Sequence, residues 1–281
     1  MRNLLFALVF ALPISLGAQH FEIGLLAGFS NYSGELAPFT IKSTFAQTHP
    51  TFGGFVRYNI NRFAAVNFSV NFANVSGNDA LSTYPEDNAR NLSFKSNINE
   101  FALMGEFNIP GFVPYGLERV FSPYLFGGIA FFKYNPRAQL DGEWYLLQTL
   151  GTEGQGMEGR PAPYKLTNYA IPFGVGLKYA ITDVLNVGLS LGTRYTFTDY
   201  LDDVSTTYVS YSEILAANGE TAANLSNRSG SDVATGDLRG NPDNNDWYFI
   251  GGVTISYNFM DNGLVGGRGR NRRNSGCPIM P

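Results

Sequence analysis

Between residues 21 and 259 the chain repeats one pattern eight times: an apolar side chain at every second position over about ten residues. A period of two belongs to the extended strand, where neighbouring side chains leave on opposite faces. "FEIGLLAGF" puts Phe21, Ile23, Leu25, Ala27 and Phe29 on one face, and "TFGGFVRYNI" does so with Phe52, Gly54, Val56, Tyr58 and Ile60. "FAAVNFSVNF" alternates Ala64, Val66, Phe68, Val70 and Phe72 with Asn67, Ser69 and Asn71, and "INEFALMGEFNI" alternates Phe101, Leu103, Gly105, Phe107 and Ile109 with Glu100, Glu106 and Asn108. In "YLFGGIAFFKY" we read the stripe as Tyr124, Phe126, Gly128, Ala130, Phe132 and Tyr134. "YAIPFGVGLKY", "LNVGLSLGTRYTF" and "WYFIGGVTISYNF" give stripes running from Tyr169 to Tyr179, Leu185 to Phe197 and Trp247 to Phe259. No later segment approaches the roughly 18 uninterrupted apolar residues of a membrane-spanning helix.

Eight such strands fit two closed structures. A soluble lipocalin-like barrel or sandwich turns its apolar face inward and carries charge outside. A membrane barrel turns the apolar face to lipid and needs about ten residues per tilted strand. Charged residues make up only 15% of the chain, and the polar faces carry one or two charges per strand. Several stripes begin or end in aromatics, which fits a membrane-interface girdle: Tyr124, Tyr134, Tyr169, Tyr179, Trp247, Tyr257 and Phe259. The expectation is an all-β fold, an eight-stranded antiparallel transmembrane β-barrel with long extracellular loops and short periplasmic turns. Long connections fall at about 31–50, 76–92, 135–168 and 199–245, and short ones at "NINR", "PGFVPYGLERVFS" and "ITDV".

The ends follow from that topology. "MRNLLFALVFALPISLGAQ" has Arg2, a short apolar run and small residues before Gln19, the pattern of a cleaved signal peptide over residues 1–18. The barrel spans 19–260, and 261–281 is a basic tail that an even strand number returns to the periplasm. That placement predicts an integral protein of the cell outer membrane, in contact with its lipids. The net charge of −4 gives no whole-chain basic signature for nucleic acid.

With the stripes facing lipid, Glu22, Arg57, Glu100, Glu106, Lys133, Lys178 and Arg194 point into the barrel. An eight-stranded barrel has room for side chains alone, and buried charges must pair. These seven are therefore read as a charge plug. Catalytic chemistry finds little support. The only histidines are His20 and His49, with no Ser or Asp placed by spacing to partner them. Metal spacing with Cys or His is absent, and no cofactor motif stands out. "GTEGQG" at 151–156 lacks the Gly-Lys-Ser/Thr ending of a phosphate loop. The fourth loop holds nine acids against Arg228 and Arg239, and "TDYLDDVSTTY" at its base has the oxygen donors for a divalent cation. A solvated acidic loop is the plainer reading.

The segments "FGGIAFFKYNPRAQLDGEWYLLQTLGTEGQG", "IPFGVGLKYAITD", "RYTFTDYLDDVSTTY" and "DWYFIGGVTISYNF" resemble the PorG-like outer-membrane barrels of the Bacteroidetes. The resemblance implies a non-enzymatic barrel of the type IX protein secretion apparatus. In that role it would anchor a periplasmic ring, formed by a lipoprotein and its soluble partner, to the outer membrane. The family commonly ends soon after the last strand in a short tail with a Cys-Pro pair, matched here by Cys277 and Pro278, although "MDNGLVGGRGRNRRNSG" is a longer spacer. Cys277 is the only cysteine, so any disulfide through it is intermolecular, to a partner or a second copy. Arg268, Arg270, Arg272 and Arg273 suit an acidic periplasmic partner. They suit equally well a solubilising tail beside the membrane surface. The competing functions are a general binding or adhesion barrel acting through its outer loops and, third, a lipid-modifying enzyme using His49.

Overall fold

The structure is a computed structural model that describes residues 21–37, 41–114 and 117–259. The expected signal peptide and the tail with Cys277, Pro278 and its four arginines lie outside these residues. In chain order, the strands are β1 (Phe21–Ser33), β2 (His49–Asn59), β3 (Ala64–Asn78), β4 (Ser93–Asn108), β5 (Phe121–Lys133), β6 (Arg137–Leu140), β7 (Glu143–Leu146), β8 (Thr167–Ala180), β9 (Leu185–Thr196) and β10 (Trp247–Asn258).

Eight of these close on themselves, every neighbour antiparallel. β1 pairs with β2 and β10, β3 joins β2 to β4, and β5, β8 and β9 complete the ring. β6 and β7 form a hairpin in the third long loop, joined to the ring where Lys95 of β4 pairs with Arg137. Closure leaves no unpaired edge in the ring, which hydrocarbon would penalise.

The ring is polar inside and apolar outside. Ile23, Leu25, Phe52, Phe68, Phe101, Leu103, Leu125, Ile129, Phe173, Val175, Leu189, Leu191, Val253 and Ile255 all stand exposed on its outer face. A water-soluble protein does not present an apolar belt on every strand of a closed barrel, so this is the lipid-facing surface of a membrane-spanning barrel. Aromatics mark its two rims. Phe21 and Tyr58, with ring centroids 5.1 Å apart, and the Tyr257–Phe259 pair at 5.5 Å lie at the short-turn end. Tyr195 and Trp247, 4.9 Å apart, and Tyr169 beside Phe131 lie at the long-loop end.

One strand departs from the expected facing. In β5 the buried set is Tyr124, Phe126, Ala130 and Phe132, with Tyr134 just beyond it, while Phe121, Leu125, Ile129 and Phe131 face out. Tyr124 and Tyr134 are therefore interior residues and not girdle residues, and Lys133 is exposed at the outer rim. Both stripes of this strand are apolar, and choosing the wrong one reverses every side chain. The reason is packing. Tyr124 pairs in register with Gly176, and Phe126 with Gly174. A Cβ at Gly176 would fall 2.4 Å from the Tyr124 ring, and one at Gly192 would fall 2.5 Å from Phe126. Large side chains on β5 fill space that glycines on β8 and β9 leave open.

The long connections are built. The first holds α1 (Ile41–Ala46), the second a 3-10 turn (Asp79–Leu81) and α2 (Pro85–Arg90). The third holds the β6–β7 hairpin and α3 (Leu147–Leu150), and the fourth α4 (Tyr211–Asn218) and α5 (Glu220–Ser226). Their buried side chains, including Leu36, Leu92, Ala138, Leu147, Leu201, Val204 and Leu225, join Phe94, Ile98, Phe132 and Tyr248 of the upper barrel in one core.

Candidate functional site

Two regions concentrate polar chemistry: the barrel interior and the cap made by the long loops. In the interior, period-two alternation puts Glu22, Arg57, Glu100, Glu106, Lys178 and Arg194 on inward positions, and all six are buried. They divide into two tiers.

Near the short turns, Arg57 Nη1 donates to Glu22 Oε1 at 2.5 Å, and its Nε lies 2.8 Å from Glu106 Oε2. Lys178 Nζ donates to Glu106 Oε2 at 2.5 Å and to Asn108 Oδ1 at 2.9 Å, and Asn67 Nδ2 donates to Glu106 Oε1 at 2.7 Å. The Ser256 hydroxyl donates to Glu22. The ammonium of Lys178 also sits 4.5 Å from the centroid of the inward-turned Tyr124 ring. Higher up, Arg194 Nε donates to Glu100 Oε2 at 3.0 Å. Tyr248 Oη and Asn71 Nδ2 donate to the same carboxylate at 2.7 and 2.8 Å.

Each tier has as many bases as acids. Lys133, expected among them, is on the lipid side at the end of β5, where its stem can lie along the apolar surface and its charge can reach the headgroups. Its departure leaves three acids facing three bases. The gap between the tiers, lined by Arg57, Asn67, Met104, Tyr124, Phe126 and Arg194 among others, measures about 40 Å³. That is room for a water or two and not a conduit.

In the cap, Arg90 donates to both oxygens of Asp79 at 2.8 Å, to the Glu35 carbonyl at 3.0 Å and to the Arg239 carbonyl at 3.1 Å, tying three loops together. The Glu153 carboxylate in "GTEGQG" accepts from the backbone N–H of Ser205 at 2.9 Å, the Thr206 hydroxyl at 2.7 Å and Arg239 Nη1 at 3.0 Å. That segment therefore fastens the third loop to the fourth. Asp203 is also buried, accepting from Tyr164 Oη at 2.6 Å and Thr152 Oγ1 at 2.5 Å. Burial pushes the Asp203 carboxyl up to about 6, with Arg239 opposing the rise. The base of the fourth loop is thus packed protein and not a solvated acidic stretch. Sequence reading missed Arg90, Glu153 and Asp203 as structural ties, because loop residues carry no period that marks burial.

His49 opens β2, and its Nε2 lies 2.7 Å from Ser76 Oγ. Among the described residues no carboxylate bonds to this imidazole, so the orienting acid of a nucleophile–His–acid relay is not in place.

Residues 1–223 match the family described as domain of unknown function (DUF6089). No curated protein matches. Among solved structures, the chain is similar to the N-terminal β-barrel domain of Pseudomonas aeruginosa OprF, with 13% identity, 86% of this chain and 98% of that one covered, and a TM-score of 0.37. It is also similar to Neisserial surface protein A, with 10% identity, 85% and 97% covered, and a TM-score of 0.39. A third is Ail, the attachment invasion locus protein of Yersinia pestis, with 10% identity, 85% and 97% covered, and a TM-score of 0.38.

Proposed function

Since the chain belongs to the family described as domain of unknown function (DUF6089), we propose that it is a non-enzymatic outer-membrane barrel of the type IX protein secretion apparatus. In this reading it mounts a periplasmic ring and its lipoprotein beneath the outer membrane. The carrying observation is the filled interior. Two balanced charge tiers leave about 40 Å³ between them, which favours a fixed mount over a channel. The secretion role itself rests on the resemblance of "IPFGVGLKYAITD", "RYTFTDYLDDVSTTY" and "DWYFIGGVTISYNF" to the PorG-like barrels of the Bacteroidetes. In this orientation the long-loop cap is extracellular and the Cys277 tail periplasmic.

The test has two arms. A deletion strain is expected to lose export of type IX cargo. Affinity-tagged protein is expected to recover the ring components, with recovery falling when residues 260–281 are removed or Cys277→Ser is introduced. Normal export in the deletion strain would remove the secretion role. Equal recovery with the shortened chain would remove the tail from the attachment.

The packed cap favours a second reading, a binding barrel acting at the cell surface, since ordered loops on a rigid ring are a common binding platform. It is the better account if deletion spares cargo export and alters surface binding.

A further inference from the structure

Glu35 in the first loop, Asp199 at the exit of β9 and Asp246 just before β10 each bring a carboxylate oxygen within 4.8 Å of the others. Asp202 adjoins them through Tyr32, whose hydroxyl oxygen lies 2.6 Å from Asp202 Oδ2 and 2.8 Å from Asp246 Oδ1. One hydroxyl proton cannot fully satisfy two carboxylates. Other bonds account for part of the group: Asp202 accepts from the Val204 N–H and Asp246 from the Leu201 N–H.

Asp199 is different. It is 6% exposed, and neither of its carboxylate oxygens has a hydrogen-bond partner among the described residues. Ser205 is near enough to offset a little of its unfavourable environment, but outside hydrogen-bonding geometry. Glu35 Oε2 is likewise buried and unpartnered. Leaving such oxygens dry costs free energy that a ligand can recover.

Charge sharpens the point. Among the described residues no basic side chain forms an ion pair with Glu35, Asp199, Asp202 or Asp246. The nearby Arg90 is committed to Asp79 and touches Glu35 through its carbonyl. Burial and then the Glu35 charge push Asp199 up to about 8, and burial and then Asp202 raise Asp246. Four acids gathered without a cation are poorly placed to ionise together.

The donor set is all oxygen, with neither imidazole nor thiolate, which suits a hard cation. Calcium takes six to eight oxygens at about 2.3–2.6 Å in flexible geometry and accepts several carboxylates, whereas magnesium demands a near-ideal octahedron and keeps several waters, so buried carboxylates gathered from separate loops suit calcium better. The cluster meets solvent at Glu35. Glu35 lines an open groove of about 760 Å³ together with Glu86, Asp87, Asp243 and Asn241, so the cluster borders an acidic, solvent-filled groove through this one residue.

We propose that Glu35, Asp199 and Asp246, with Asp202 adjoining, form a calcium site that ties the first long loop to both legs of the fourth. The site needs no secretion partner and stands apart from the proposed function.

The experiment uses the full chain folded in detergent micelles. Terbium luminescence, sensitised by nearby tyrosines, is titrated and then competed with calcium. The wild type is expected to show saturable binding that calcium displaces. Asp199→Asn removes a charge without breaking a hydrogen bond and is expected to weaken calcium binding by about tenfold or more. Glu35→Gln is expected to do the same, and decides the matter if the first variant fails to fold. The control, Glu213→Gln on α4, changes an acid held by Ser210 and Thr235 away from the site and should bind as wild type. Lack of saturable binding by the folded wild type overturns the site. Wild-type affinity in the folded site variants, or equal weakening in the control, does so as well.

Discussion

At the scale of single residues, position relative to the barrel wall decides what a charge does. Arg57 is buried between Glu22 and Glu106, whereas Lys133 sits outside at the rim. Removing one member of a buried charge network strands its partner away from water, at roughly 3–5 kcal/mol. Arg57→Met is therefore expected to destabilise the barrel by about that much, because among the described residues Glu22 then keeps a single hydrogen-bond donor, the Ser256 hydroxyl. Lys133→Met loses a rim charge and is expected to cost no more than about 1 kcal/mol. Reversible urea unfolding in phospholipid vesicles, followed by tryptophan fluorescence, separates the two; equal losses would contradict the facing described for β5. Of the seven charges expected in the interior, the six that lie there were legible because each breaks an otherwise apolar or small-polar alternation. Lys133 was not, since it follows two phenylalanines that take opposite faces.

At the scale of elements, the same strand shows what period two leaves open. When both stripes are apolar, alternation gives the strand and not its facing. The missing information was in a neighbour: the inward positions of β8 read Pro172, Gly174, Gly176 and Lys178, a face too small to fill a barrel without large side chains opposite. Gly176→Ala should therefore destabilise the barrel by about 1–3 kcal/mol through overpacking against Tyr124. Gly54→Ala, whose Cβ would meet nothing nearer than 3.7 Å, is expected to leave stability unchanged within about 0.5 kcal/mol. The same unfolding assay checks the pair, and a further variant, Gly176→Ala with Tyr124→Leu, should recover part of the loss. The long loops were legible in position and length but not in structure. Leu201, Val204 and Leu225 join a core from irregular segments, and Asp202 and Asp203 look solvated until their bonding partners from distant loops are known.

At the scale of the whole molecule, a ring filled from within and capped at one end should not conduct. In planar bilayers the purified protein is expected to show no stable large conductance; a persistent open state would overturn the reading of the interior as a plug. The ring also has a seam. β1 pairs with β10 along nearly their full lengths, and Ser256 reaches Glu22 across 234 positions of sequence. Such a contact is among the most expensive to close in loop entropy, and it rewards the chain only after everything between has been made. Ring closure therefore becomes an inspection step. Until the final strand arrives, β1 and β9 each keep an open backbone edge that lipid will not tolerate, and Glu22 lacks its last donor. A chain cut short before residue 247 lacks the strand that joins β9 to β1 and cannot close the ring.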